Sequence, residues 1–133
     1  MIPVFADTSF YVAVLNPSDS WHAKATAAAA TLRGPVVTTG FVLLEVANFL
    51  CRVAVRPLFT RLIQNLRAAS DVEIIPASMD LFGQGVQLFD ARTDKDWSLT
   101  DCTSFQVMWD RGITDALTAD HHFEQAGFQV LLK

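Results

Sequence analysis

No apolar run in this sequence approaches the ~20 residues that a membrane-spanning helix needs. The richest, Phe41 to Val55, is interrupted by Glu45 and Arg52, so a membrane span is excluded. Cysteine is scarce: only Cys51 and Cys102 occur, both in apolar-patterned segments. That argues against a disulfide framework and for a reducing, cytoplasmic setting. The first residues, Met1-Ile2-Pro3-Val4-Phe5-Ala6-Asp7, have no basic lead and meet an acid early, so no secretory signal is expected. Charged residues make up 18% against 51% hydrophobic, which excludes a disordered or collagen-like chain. Linkers, repeats and low-complexity tracts are absent except for the alanine run Ala27 to Ala30. The 133 residues therefore read as one domain, 1–133, with one core.

Basic charge is also in short supply. Ten Lys and Arg face fourteen Asp and Glu, a net charge of -4, which speaks against a nucleic-acid partner because phosphate binding rests on Lys and Arg. The distribution qualifies the average. Arg52, Arg56, Arg61 and Arg67 follow one another with no acid between them, whereas eight acids from Asp90 to Glu124 crowd the C-terminal third. The arginine stretch reads either as the solvated side of helices or as a contact surface for phosphates.

Short β-type runs recur at Ile2 to Ala6, Pro35 to Thr38, Val72 to Ile75, Ile113 to Thr118 and Phe128 to Leu132. Helical patterns fill the intervals: Ser9 to Leu15, Ser20 to Leu32, Phe41 to Val55, Leu58 to Ala69, Met79 to Asp90, Thr100 to Asp110 and a short one at His121 to Ala126. Alternation of this kind predicts a mainly parallel sheet covered by helices. In such sheets ligands bind at the carboxyl ends of the strands, where several acids of this chain fall.

Asp7 directly follows the first strand and precedes Thr8 and Ser9. It reads either as a helix cap or as a site carboxylate. Glu45 is the only charged residue between Arg33 and Arg52, and burying it would require a compensating cation. Alternatively Phe41, Glu45, Asn48 and Arg52 form a narrow solvated stripe along one helix. Asp101 stands three residues after Ser98 in a capping-box spacing, with Ser104 one turn further on. Asp120 precedes His121 and His122 and would cap the last short helix. The two histidines lack any Cys or His cluster at zinc spacing. If the four acids converge, they cannot all stay ionised without a cation, and an oxygen-only site selects Mg²⁺ or Mn²⁺. Such ions serve phosphoryl-ester chemistry.

The segments Phe5-Ala6-Asp7-Thr8-Ser9-Phe10, the isolated Glu45, Asp96-Trp97-Ser98-Leu99-Thr100-Asp101-Cys102 and Leu117-Thr118-Ala119-Asp120-His121-His122-Phe123 resemble the four acidic motifs of PIN domains, especially the VapC-like toxin branch. The resemblance spans essentially the whole chain. It implies a three-layer α/β/α nuclease with Asp7, Glu45, Asp101 and Asp120 around Mg²⁺ or Mn²⁺ and RNA as substrate. It also implies hydrogen-bond support from Thr8 or Ser9 and from Ser104, while Asp94 and Asp96 leave open which neighbours join the metal shell. A homodimer and a small antitoxin, with a segment crossing the acidic cleft, are implied as partners of a type II toxin.

Three Trp, ten Phe and a mean hydropathy of +0.29 exceed what a small core hides. An apolar patch for a partner is expected on Phe41 to Val55 and Leu58 to Ala69. For RNA, Arg52, Arg56 and Arg61 are the expected phosphate contacts, Arg52 lying about two turns from Glu45, ~10 Å by helical rise. The other reading pairs these arginines with acids of a second subunit or antitoxin. A receiver domain would need an Asp closing the Val72 to Ile75 strand, and a phosphatase Asp-x-Asp pair would need an acid at Ser9. The rival from another class is a catalytically weak RNA-binding or protein-interaction module on the same fold.

Overall fold

Five short strands form, the first three rich in β-branched or aromatic residues: β1 (Val4–Ala6), β2 (Val36–Thr39), β3 (Val72–Ile75), β4 (Asp115–Leu117) and β5 (Gln129–Val130). Between them run α1 (Thr8–Leu15), α2 (His22–Thr31), α3 (Gly40–Phe49), α4 (Arg56–Ala68), α5 (Met79–Ala91), α6 (Leu99–Arg111) and α7 (His121–Gln125). These coordinates are a computed structural model that describes residues 2–133. All neighbouring strands pair in parallel, in the order β3-β2-β1-β4-β5. The expected α/β/α architecture with a parallel central sheet is thus the observed one.

The order places the functional edge. From β1 the chain steps outward to β2 and β3, then returns past them to β4 on the other side of β1. Right-handed crossovers then put the helices of the outward and return steps on opposite faces, and the crevice opens between the carboxyl ends of β1 and β4. Register does the rest: Ala6 stands beside Leu117, so Asp7 and Thr118, one residue on, meet at that crevice.

Side-chain chemistry fixes where the helices begin. Thr39, Ser78 and Ser98 each cap their helix by accepting a backbone N–H, from Val42, Leu81 and Asp101 respectively. Helix α6 ends in a left-handed Gly112, φ 65°, a conformation a side chain would resist. Gly85 of α5 lets α6 approach so closely that a Cβ there would meet Thr103 Cγ2 at 2.5 Å. An aromatic cluster forms the core beside α6 and α7: the Phe105 ring lies 4.9 Å from both Trp97 and Phe123, with Phe5 and Phe128 around them. Phe105 and Phe123 lie four and three residues after Asp101 and Asp120, so the packed rings anchor the acid-bearing first turns.

Most element ends shift by one or two residues from the sequence expectation, but one shift matters. Helix α3 stops at Phe49, not Val55, and 52–55 form a turn in which Arg52 O accepts the N–H groups of Val55 and Arg56. Pro57 accounts for the restart, not for the stop eight residues earlier: α4 starts afresh at Arg56 with proline in its first turn, where its missing N–H costs nothing. Arg52 therefore does not share a helix face with Glu45, and the two-turn spacing between them does not exist.

Candidate active site

Four elements deliver the four acids to one cleft of about 390 Å³, lined by Asp7, Glu45, Asp101 and Asp120. Asp7 ends β1, Glu45 hangs half-buried from α3, Asp101 opens α6 and Asp120 opens α7. Asp19, Asp96 and Ser98 add polar walls, and Val12 and Phe49 apolar ones.

The capping alternatives resolve differently at each acid. Asp7 occupies the position before α1, yet its side chain makes no capping bond. Instead Thr118 Oγ1 donates to Asp7 Oδ2 at 2.9 Å, and Ser9 Oγ donates to the same oxygen at 3.3 Å. Thr118 is fully buried and also accepts the Asp120 N–H at 3.1 Å, tying the first acid to the fourth. Asp101 does cap: its Oδ2 accepts the Ser98 N–H at 3.1 Å while Ser98 Oγ accepts the Asp101 N–H. Asp120 Oδ1 accepts the His122 N–H at 2.9 Å. At Asp101 and Asp120 these bonds engage one carboxylate oxygen, and the other, Oδ1 and Oδ2 in turn, makes no such bond; at Asp7 the Thr8 backbone N–H adds to the hydroxyls on Oδ2. Capping and site chemistry coexist because a carboxylate has two oxygens.

The electrostatics show what the arrangement wants. Burial, then the nearby Asp101 charge, pushes Asp7 from its ordinary value near 3.8 up to about 7. Burial and the Asp120 charge likewise raise Asp101, against the Ser98 N–H and His122, which pull it down. Only 4% and 7% exposed, these two carboxylates cannot both be comfortably ionised in a bare cleft. Oxygen donors on four elements with that deficit of positive charge suit a hard divalent cation in kind, while among the described residues no three of these acids bring ligand atoms within 4.8 Å of one another.

The remaining candidates fall on both sides of the cleft wall. Thr8 and Ser9 line it. Ser104 is fully buried with no hydrogen-bond partner for its Oγ, as is the hydroxyl of Thr8, and Ser104 does not reach the cleft lining. Arg52, Arg56 and Arg61 are exposed and lie outside that lining; Arg56 Nη1 donates to Cys51 O at 3.0 Å. Asp94 pairs with Arg92 at 3.0 Å, away from the cleft, whereas Asp96 lines it.

Two residues outside the expected set do much of the positioning. Thr118 could be found only by knowing that β4 lies beside β1, which depends on strand order rather than on local pattern. His122, read from sequence against a zinc motif, instead brings Nδ1 to 3.2 Å from Asp101 Oδ2 and 3.3 Å from Asp120 Oδ1. Among the described residues, Asp120, His121 and His122 place one ligand-type atom each within 4.8 Å of one another.

A five-stranded parallel sheet in this order, with acids from four elements at its carboxyl edge, is the architecture of a PIN domain. The chain belongs to the PIN domain family, whose pattern matches residues 4–129. It is 35% identical over 130 residues to the 23S rRNA-specific endonuclease VapC20 of Mycobacterium tuberculosis, covering 94% of this chain and 95% of VapC20. The crystal structure of VapC20, described as a Sarcin-Ricin loop cleaving toxin, superposes with a TM-score of 0.85 at 30% sequence identity, covering 94% of this chain and 95% of that one. FitAcB of Neisseria gonorrhoeae, at 14% identity, and VapBC2 of Rickettsia felis bound to a DNA fragment from their promoter, at 13%, share the fold. Their TM-scores are 0.68 and 0.66, with 96% and 97% of this chain covered and 96% of each of theirs.

Proposed function

We propose that this protein is a Mg²⁺- or Mn²⁺-dependent endoribonuclease that hydrolyses RNA phosphodiester bonds, acting as the toxin of a type II toxin–antitoxin pair. The observation that carries the reading is the cleft itself, where Asp7, Glu45, Asp101 and Asp120 converge from four elements. A module that only bound RNA would gain nothing from this, because four carboxylates repel phosphates. The full-length likeness to VapC20 favours structured ribosomal RNA as the substrate class.

In this reading Asp7, Glu45 and Asp101 hold the cation, and Asp120 completes its shell or orients the attacking water. A divalent ion held there would supply charge neutralisation at the scissile phosphate and acidification of a water, the chemistry such ions bring to phosphodiester hydrolysis. The protein's own part is orientation. Thr118 and Ser9 fix the Asp7 carboxylate from behind, and the α6 cap fixes that of Asp101, leaving its second oxygen for the cleft. Arg52, Arg56 and Arg61 contact flanking phosphates outside the acidic cleft.

Association follows from the apolar surface. Leu44, Phe49 and Val53 are 59%, 63% and 86% exposed, and α4 buries none of its side chains completely. This surface, α3 to α4, is where the second subunit and the antitoxin bind, Phe49 joining it to the cleft. The test is incubation of purified protein with ribosomal RNA in Mg²⁺ or Mn²⁺ and in excess chelator. Discrete cleavage only with metal is expected; binding without cleavage would favour the interaction-module alternative.

A further inference from the structure

Histidine 122 touches both late acids without being an acid, and the metal-dependent reading above assigns it no part. Its imidazole, 21% exposed, stands between carboxylates from two different helices, Asp101 of α6 and Asp120 at the start of α7. Nδ1 lies within 3.3 Å of one oxygen of each. Both oxygens are acceptors, so Nδ1 carries the hydrogen and donates it to Asp101 Oδ2, while Asp120 Oδ1 lies within ion-pair reach at 3.3 Å. The backbone N–H of the same residue donates to Asp120 Oδ1, so His122 holds one carboxylate by its ring and the other by its backbone.

The oxygens it engages are the ones already turned to the protein. Asp101 Oδ2 also takes the Ser98 N–H, and Asp120 Oδ1 also takes the backbone N–H of α7. The opposite oxygens, Asp101 Oδ1 and Asp120 Oδ2, are left for a cation. The ring itself is held in place: His121 packs against it with centroids 4.4 Å apart, and the next residue, Phe123, is locked in the aromatic core. Exposed His121 reaches only Asp120, at 3.7 Å, and cannot form the same bridge.

We propose that His122 is a positioning residue: its ring Nδ1–H holds Asp101 while its backbone N–H holds Asp120, so it sets their separation and determines how tightly the cleft binds a divalent cation. The proposal rests on the metal-dependent reading but is measured without RNA. Partners of this kind behind metal-binding carboxylates typically contribute 10–100-fold in metal affinity.

The experiment is Mn²⁺ titration by calorimetry on the purified full-length protein, wild type beside His122→Ala, His122→Asn, His122→Gln and His121→Ala. His122→Ala is expected to bind Mn²⁺ about 10–100-fold more weakly. His122→Asn, whose amide nitrogen falls near the place of Nδ1, is expected to return to within a few-fold of wild type, and His121→Ala to match it. His122→Gln carries its amide one carbon further out, misses the bridge and is expected to stay weak. That contrast serves even if the alanine variant fails to fold. Wild-type affinity in His122→Ala or His122→Gln would overturn the proposal. So would an asparagine variant as weak as glutamine, since the nitrogen would then be a direct ligand, or a wild type that takes up no Mn²⁺. A wild type that binds Mn²⁺ but leaves RNA intact would sink the nuclease reading and leave this comparison standing.

Discussion

At the scale of residues, the cleft stores electrostatic cost in the cation-free protein, and Asp7 carries most of it. Its folded value of about 7 exceeds the ordinary 3.8, so the folded state binds that proton more tightly than the unfolded chain does. The stabilisation is therefore complete below pH ~4 and is lost as pH rises from there through about 7, with an upper bound of roughly 4 kcal/mol. Chelator-treated wild type should lose melting temperature between pH 5 and pH 8, and Asp7→Asn should flatten that loss. Saturating Mn²⁺ should raise the wild-type melting temperature more at pH 8 than at pH 5. Equal pH profiles for wild type and Asp7→Asn would contradict the assignment of the cost to Asp7. The acid identities were readable from the sequence because each stands at a strand end, a helix start or alone in an apolar helix. Thr118 and His122 were not, because their roles come from strand adjacency and from the return of α7 to the first turn of α6.

The scale of elements shows why site and fold depend on each other. Ser98 opens α6 through a reciprocal cap with Asp101, so one pair of hydrogen bonds both starts a helix and aims a candidate metal ligand. Ser98→Ala should cost about 1 kcal/mol by urea denaturation. Cleavage at saturating RNA should stay within a few-fold of wild type, because the Asp101 carboxylate accepts from the Ser98 backbone N–H, which alanine keeps, and from His122. A loss of stability without a loss of rate would separate the two roles. Periodicity located all seven helices, with ends shifted mostly by a residue or two, yet overran α3 by six. The apolar pattern from Phe41 to Val55 continues across a turn, 52–55, that no proline or glycine marks. That overrun produced the one spatial argument the structure removes, the placement of Arg52 two turns from Glu45.

For the whole molecule, acidic cleft and basic flank are separate surfaces, which makes the arginines a discriminating test. Replacing Arg52, Arg56 and Arg61 by Gln should weaken RNA binding and reduce its salt dependence, measured by fluorescence anisotropy at two or more salt concentrations. An unchanged slope with weakened subunit or antitoxin association would move the cluster to an interface. Independently, Phe49→Glu together with Val53→Glu should shift the protein toward monomer in sedimentation at tens of micromolar, because both side chains lie exposed on the surface assigned to partners. Strand order and the site crevice could be anticipated from the alternating pattern only as a class; the return of β4 beside β1 is a tertiary choice that joins Asp7 to Asp120.

The central claim is that four acids from four elements act as one cation-dependent centre. It is tested most directly by single-turnover cleavage of ribosomal RNA in saturating Mn²⁺ by Asp7→Asn, Glu45→Gln, Asp101→Asn and Asp120→Asn beside wild type, each verified as folded by circular dichroism. Every variant is expected to fall by about 100-fold or more, a loss of roughly 3 kcal/mol of transition-state stabilisation, and excess EDTA should silence the wild type. A folded variant that cuts at the wild-type rate, or wild-type cleavage that persists in EDTA, would contradict the account.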